Sequence, residues 1–537
     1  MAQLIDLYGL VAVILRGLTL VFQVVTAGGV IFLCLLDRRS EPAEPAVIFR
    51  CRGLLRIFAL ALATVAVCSA LLTTLVLRAT TNEFHWIDTA GTSFFQAQCL
   101  MAVAGVWIAI FSMTLPARWL LVPTVAAITG AALTSHAFAR IESRPLLLFC
   151  TGLHQLATAA WIGGLPWLLI VLGCGSEQFA LRVARRFSPL AFVSVSVLIG
   201  AGIALSREYV GGVEGIYGTS YGVMLVTKII LLSVVLVLGA TNFRLLRRAN
   251  SAQATITRIV RRTTEVETAI GITIILVASS MASQPPAVDL TEGRVSLGQM
   301  ADRFTPRWPR LQTPLPAALS PATPLNMEES RRFGRPLSFA GVPEYTSNTA
   351  ADIAWSEYNH NWAGLCVLAM GALALIAQMR RGRWARHWPL AFLGLAIFIL
   401  IRADPENWPL GPRGFWESFR VPDVMQHRLV VALVSVFAIF EWRVTTGRSR
   451  RPWHALIFPA ICMIGGALLF THTHSLGNVK EELLAEESHN TIAIFAVVAA
   501  GARWLQLRLP RGSPFLGFIW AASFLIIGLV LTCYREA

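Results

Sequence analysis

The sequence predicts an all-α, polytopic transmembrane helix bundle of about fourteen transmembrane helices, with both termini on the outer side. Three observations predict it. The 537-residue chain is 55% apolar and only 14% charged, with mean hydropathy +0.62, which leaves too little polar surface for a water-exposed globule. Its apolar residues fall into stretches of roughly 17–25, the length at which a helix spans a bilayer core. Its arginines gather in alternate connections, as expected of a chain that crosses a membrane repeatedly.

The spans read as 8–36, 54–77, 93–115, 117–138, 146–172, 187–206, 221–243 and 265–283, then 359–379, 387–402, 424–442, 454–472, 489–508 and 514–533. The connections around 37–56, 180–186, 244–262, 380–386, 443–451 and 503–511 carry five, three, six, four, four and three Arg. Those loops are expected in the cytoplasm. The first span has no basic region before it and has Arg38 and Arg39 after it, so it reads as an anchor helix and not as a cleaved signal peptide. The net charge of +15 lies in these loops, not in one patch with interleaved aromatics, which argues against a nucleic-acid partner.

Three regions follow. Residues 1–283 form an eight-helix membrane unit and residues 359–537 a six-helix unit. Between them, 284–358 is rich in proline and polar residues, without helical or strand periodicity, and is expected to be an irregular outer loop. Nine cysteines occur without a C-x-x-C spacing, and Cys34, Cys68, Cys150, Cys366 and Cys462 lie inside apolar spans, where packing explains them.

Histidines carry the chemistry. On the predicted topology eight of ten fall on the outer side: His85, His136, His154, His360, His427, His472, His474 and His489. Imidazole is costly in hydrocarbon and is the commonest ligand for copper, zinc and haem iron, so this one-sidedness points to a metal-handling face. His136 ends the fourth span and His154 sits about two turns inside the fifth; the antiparallel hairpin brings both toward one site with an axial offset of roughly 9 Å. His154, Thr158 and Trp161 share a helical face, and Gly163 with Gly164 lets a neighbouring helix approach closely.

His472 and His474 end the twelfth span, and His489 opens the thirteenth after Glu481, Glu482, Glu486 and Glu487. These acidic residues add negative potential that collects cations before imidazole binds them. Met425 precedes His427 by two residues, and a thioether with an imidazole suits Cu(I). His360 is a weaker candidate, and His85 reads as interfacial. His387 and His454 sit beside Trp388 and Trp453, where aromatic anchoring at the inner interface explains them. Arg16, Lys228, Glu265 and Glu267 are charges within spans, and Arg16 and Lys228 call for a polar partner, a water-filled cavity or an interface to reach. No nucleotide-binding loop, P-type phosphorylation motif, C-x-x-C-H or H-E-x-x-H occurs, and no enzymatic activity is expected.

The strings LHQLATAAWIGGL, RRFSPLAFVSVSVLIGAGIAL and YGTSYGVMLVTKIILLSVVLVLGATNFRLL, preceded by TSHAFA, resemble the membrane core of the bacterial copper resistance protein D (CopD) family, over about 130–250. Lys228 and Asn242 stand at positions the family pattern favours. The stretch HTHSLGNVKEELLAEESH with ARWLQLRL resembles a module that accompanies this core in longer members. The resemblance implies a multi-pass protein of the bacterial inner membrane that moves copper, as Cu(I) or Cu(II), with both termini periplasmic and often with a small periplasmic copper-binding partner. His136 and His154 carry over as metal-site candidates; for His472, His474 and His489 the support is local composition. The chain departs from the family in having no methionine-rich segment before the core and no recognisable copper-chaperone domain in the long loop. Outer ligands favour import. A b-type haem protein with histidine ligation near the outer face, and a copper sensor or assembly factor without transport, are the alternatives.

Overall fold

In the computed structural model the described residues are 8–37, 44–80, 86–248, 253–290, 292–305, 307–319, 349–379, 381–449, 451–470, 479–509 and 513–535. Every predicted span is helical. Thirteen of these helices are long and apolar enough to cross a membrane, and Ala117–Leu133 is a shorter apolar helix in the place of the fourth span. No strand occurs among the described residues, apart from one isolated bridge between Asn407 and Arg413. The chain is an all-α multi-pass membrane bundle.

It divides into two compact units, residues 1–292 with 508–511, and 293–507 with 512–537. The first holds α1 (Tyr8–Leu36), α2 (Pro45–Thr80), α3 (Ser93–Phe111), α4 (Leu121–Leu133), α5 (Arg144–Cys174), α6 (Glu177–Val210), α7 (Ser220–Arg247) and α8 (Gln253–Met281). The helix α1 is the hub, packing against α2, α4, α5 and α8. Small residues set that closeness. A Cβ on Gly163 of α5 would stand 2.1 Å from the Val24 carbonyl oxygen of α1, and one on Gly28 would stand 2.2 Å from the Gly163 carbonyl carbon. Backbones this near gain dispersion that lipid tails cannot supply.

The second unit holds α9 (Ala350–Gln378), α10 (Ala391–Arg402), α11 (Pro422–Thr445), α12 (Ile457–Leu469), α13 (Val479–Arg508) and α14 (Pro514–Thr532). The pair α9 and α14 meets along a seam of small residues: Gly364 and Gly371 face the α14 backbone and Gly528 faces Leu368. Trp388, Phe392, Phe437, Phe458, Trp520 and Phe524 fill the core beside it. Within this core Arg503 donates to Glu441 at 2.6 Å, a fully buried carboxylate, and its guanidinium lies over the rings of Phe458 and Trp520.

Helices run past the apolar windows that predicted them. The N-terminus of α9 lies nine residues before the predicted 359, because Thr349 and Asp352 close a capping box and the polar turns that follow still wind as helix. The expected irregular loop contains a short capped helix, Leu297–Phe304, and 3-10 turns at Ala287–Asp289 and Pro316–Ala318. Part of it is pinned to the second unit: the Arg310 amide donates to the Asn361 side chain and its guanidinium to Glu357. Residues 320–348 lie outside the described residues.

Candidate functional site

His136 opens a short helix, His136–Ala139, beyond the end of α4. Its ring stands 6.2 Å from Tyr209 of α6 and 6.4 Å from Tyr221 of α7, and those two rings are 6.3 Å apart. The His136 Nε2 and the Tyr209 hydroxyl are buried and meet no hydrogen-bond partner among the described residues. Two orphaned polar atoms in one aromatic pocket leave coordination capacity that a soft cation could use. Burial, then Arg16, lowers the His136 pKa from 6.5; Asp289 opposes this and Arg140 adds to it. The imidazole is therefore neutral at pH 7, the form that binds metal. Arg16 donates to the Ala282 and Thr134 carbonyls at 2.7 and 2.8 Å, completing the C-terminal ends of α8 and α4. This supplies the partner its position demanded.

His154 lies deeper, on the face of α5 that packs against α6. Its Nδ1 is 3.2 Å from the Leu198 carbonyl, and an added Cβ on Gly202 would meet the ring at 3.6 Å. A carbonyl accepts only from N–H, so Nδ1 carries the proton and Nε2 presents its lone pair. Lys228 of α7 is within electrostatic range. His136 and His154 thus keep different neighbours. Among the described residues no group of three or more His, Cys, Asp or Glu is arranged to hold a metal ion.

On the same face of α5, Thr158 donates to the His154 carbonyl at 2.7 Å, and Trp161 donates from its indole to Glu267 of α8 at 3.3 Å. The sequence placed Glu267 near the start of a helix; the structure buries it.

In the second unit His489 of α13 stands 6.0 Å, ring to ring, from His360 of α9, and Tyr534 stacks on His360 at 3.9 Å. His360 Nδ1 is 2.9 Å from the Ser356 carbonyl, so its proton sits on Nδ1. Sequence reasoning gave His360 little weight because nothing in its neighbourhood pairs it with a residue 129 positions on; only helix packing does. His427 Nδ1 binds Asp404 at 2.8 Å, an orienting carboxylate the sequence reading missed. Met425 and His427 both lie on α11, where a two-residue step turns side chains about 200° apart. The thioether and imidazole therefore sit on different faces of that helix. His472 and His474 lie outside the described residues, as does His85.

His387 and His454 differ in kind. His387 Nδ1 accepts from the Trp442 indole at 3.0 Å, so its proton is on Nε2 and its Nδ1 lone pair is taken up. His454 Nδ1 pairs with Ser449 at 2.6 Å and the ring lies against Trp453.

Residues 181–281, which make up nearly all of α6, α7 and α8, match the model of the family described as copper resistance protein D. Over this segment the chain is similar to the CopD family. Copper transport protein CutJ of Bacillus subtilis (strain 168) is 30% identical over 158 residues, which are 29% of this chain and 28% of that protein. The aligned part thus spans little more than a quarter of that relative. No solved structure matches. The CopD segment supplies the Leu198 carbonyl and Gly202 that hold His154, the two tyrosines around His136, and the Asn242 and Glu267 pair below them.

Proposed function

We propose that this chain is a copper transport and resistance protein of the bacterial inner membrane, which takes copper at imidazoles on the periplasmic side and passes it inward through the CopD core. One observation carries the reading: the segment matched to the copper family is the one that builds the walls around His154 and His136. His154 presents a lone-pair Nε2 inside a bundle, a donor that holds Cu(I) or Cu(II) with little preorganisation cost. His489 with His360, and His427, are the further imidazoles that would collect copper, with His472 and His474 added as candidates by local composition. Both termini lie on the periplasmic side in this reading. A small periplasmic copper-binding protein is the expected donor. The activity is binding and translocation, without a catalytic step, and a copper gradient maintained by chelation inside is sufficient to drive import.

The test is copper uptake into proteoliposomes. Wild type is expected to load copper, and the His136→Ala, His154→Ala double variant to lose at least tenfold in initial rate, since two ligands worth about 1.4 kcal/mol each already account for more than that. Equal uptake by the two proteins would sink the pathway. A Soret band in purified wild type that disappears in His154→Ala would replace copper by haem b, and copper binding without uptake would make the protein a sensor or assembly factor.

A further inference from the structure

Below His154 the polar face of α5 leads to an acidic group. His154, Thr158 and Trp161 recur at i, i+4 and i+7, so Trp161 lies about 10 Å farther along the helix toward the arginine-rich end. Its indole donates to Glu267 Oε1 at 3.3 Å, and the Asn242 amide of α7 donates to Oε2 at 3.0 Å. Asn242 is itself fixed, reaching Thr264 at 3.4 Å and accepting from the Thr263 hydroxyl. Glu267 is 3% exposed. Gly239 keeps space open beside it: an added Cβ would stand 3.4 Å from Oε1.

What faces this carboxylate is uncharged. From α5 it meets Trp161, from α7 Asn242 and Gly239, and no ionised side chain of the packed helices acts on it among the described residues. The charges of these elements lie elsewhere. On α8 itself Glu265, two residues away, pairs with Arg262 and with Arg261 at 3.6 Å. On α5 and α7, His154 and Lys228 act on each other nearer the opposite end. On α1, Arg16 is bound to the carbonyls of Ala282 and Thr134.

A carboxylate in hydrocarbon without a cation is expensive, and such groups inside membrane bundles mark ion and proton routes. Each carboxyl oxygen accepts one N–H, which a glutamine, with one oxygen and a donating NH2, could not match, so the pocket is built for a carboxyl group. A carboxylate is a poor ligand for soft Cu(I), and with only neutral N–H donors around it the proton is the cation that suits this site.

We infer that Glu267 is a proton-binding site of the CopD core, whose proton is displaced when a copper cation occupies the route above it. In that step the Glu267 O–H bond breaks, its electron pair stays on the carboxylate, and the proton leaves to water; when the cation departs, the carboxylate takes a proton back. One positive charge is thereby exchanged for another, and no redox change is involved. The inference rests on reading α5 to α8 as the copper route. Two unit charges about 10 Å apart at an effective dielectric near 20 change each other's binding by roughly tenfold.

The experiment has two arms on full-length protein. In proteoliposomes with a luminal pH dye, wild type is expected to move protons with copper, Glu267→Gln to take up copper at least tenfold more slowly without a proton signal, and Glu267→Asp to recover part of both. Equal uptake and equal proton movement by Glu267→Gln would overturn the inference. The second arm needs no copper. In infrared difference spectra across a pH jump, wild type is expected to show a titrating carboxylic C=O band that is missing from Glu267→Gln, which retains its helical circular dichroism. Absence of that band from wild type overturns the proton site. Its presence in a protein that takes up no copper overturns the transport reading and keeps the proton site.

Discussion

Residue types alone marked histidine as the working group, but the hydrogen bond at Nδ1 is what separates His154, His360 and His427 from His387. His154, His360 and His427 turn Nδ1 to a carbonyl or carboxylate, whereas His387 accepts there from an indole. No spacing rule reads this, since the partners lie 44 and 23 residues away for His154 and His427. The tautomer has a consequence at Asp404. Replacing it with Asn keeps the size but removes the acceptor charge, and copper affinity at His427, measured by equilibrium dialysis in a His154→Ala background, is expected to fall about 10-fold or more. His136 offers a pH test. Its folded pKa lies below 6.5, so the folded state binds the proton more weakly than the unfolded chain does. Stability is therefore full above the unfolded value and declines as pH falls from 6.5 through the folded pKa. Its contribution to copper binding in the His154→Ala background should persist to lower pH than that of an ordinary imidazole; loss in step with free imidazole would remove the desolvated pocket from the account.

Elements were legible wherever hydropathy could report them. All fourteen apolar stretches are helices, and the Gly163 and Gly164 pair does admit a neighbouring helix, which proves to be α1 for Gly163. Helix ends were less legible, because capped polar turns such as those after Thr349 add helix outside the hydrocarbon window. Helix contacts carry the sharpest stability prediction. Gly163→Val places a side chain against the backbone of Val24 and Ala159, which cannot swing aside, and is expected to cost at least the upper end of the ~1–3 kcal/mol range for overpacking. Gly152→Ala, where an added Cβ meets nothing within 4 Å, is the control and should leave thermal unfolding in detergent unchanged. In the other unit, Glu441→Ala strands the buried Arg503 guanidinium and should cost about 3–5 kcal/mol. A Glu441→Met, Arg503→Leu pair should recover most of it.

For the whole molecule, the distribution of arginine sets an expected orientation in the membrane. A phosphatase fused after Asp289 should be active and one fused after Arg248 inactive, because the six Arg of 244–262 keep their connection in the cytoplasm. The reverse pattern would invert every outer histidine and with it the proposed direction of copper.

Composition and periodicity were enough to establish an all-α membrane protein and its apolar spans, since these depend only on how chain segments partition between water and lipid, and the resemblance to the CopD family was carried by ordered local strings. Which side chains meet was settled by packing. That His489 neighbours His360 and that Glu267 lies buried below His154 between Trp161 and Asn242 both depend on helices far apart in the chain coming together, and lipid-facing hydropathy is blind to which apolar helix another apolar helix chooses.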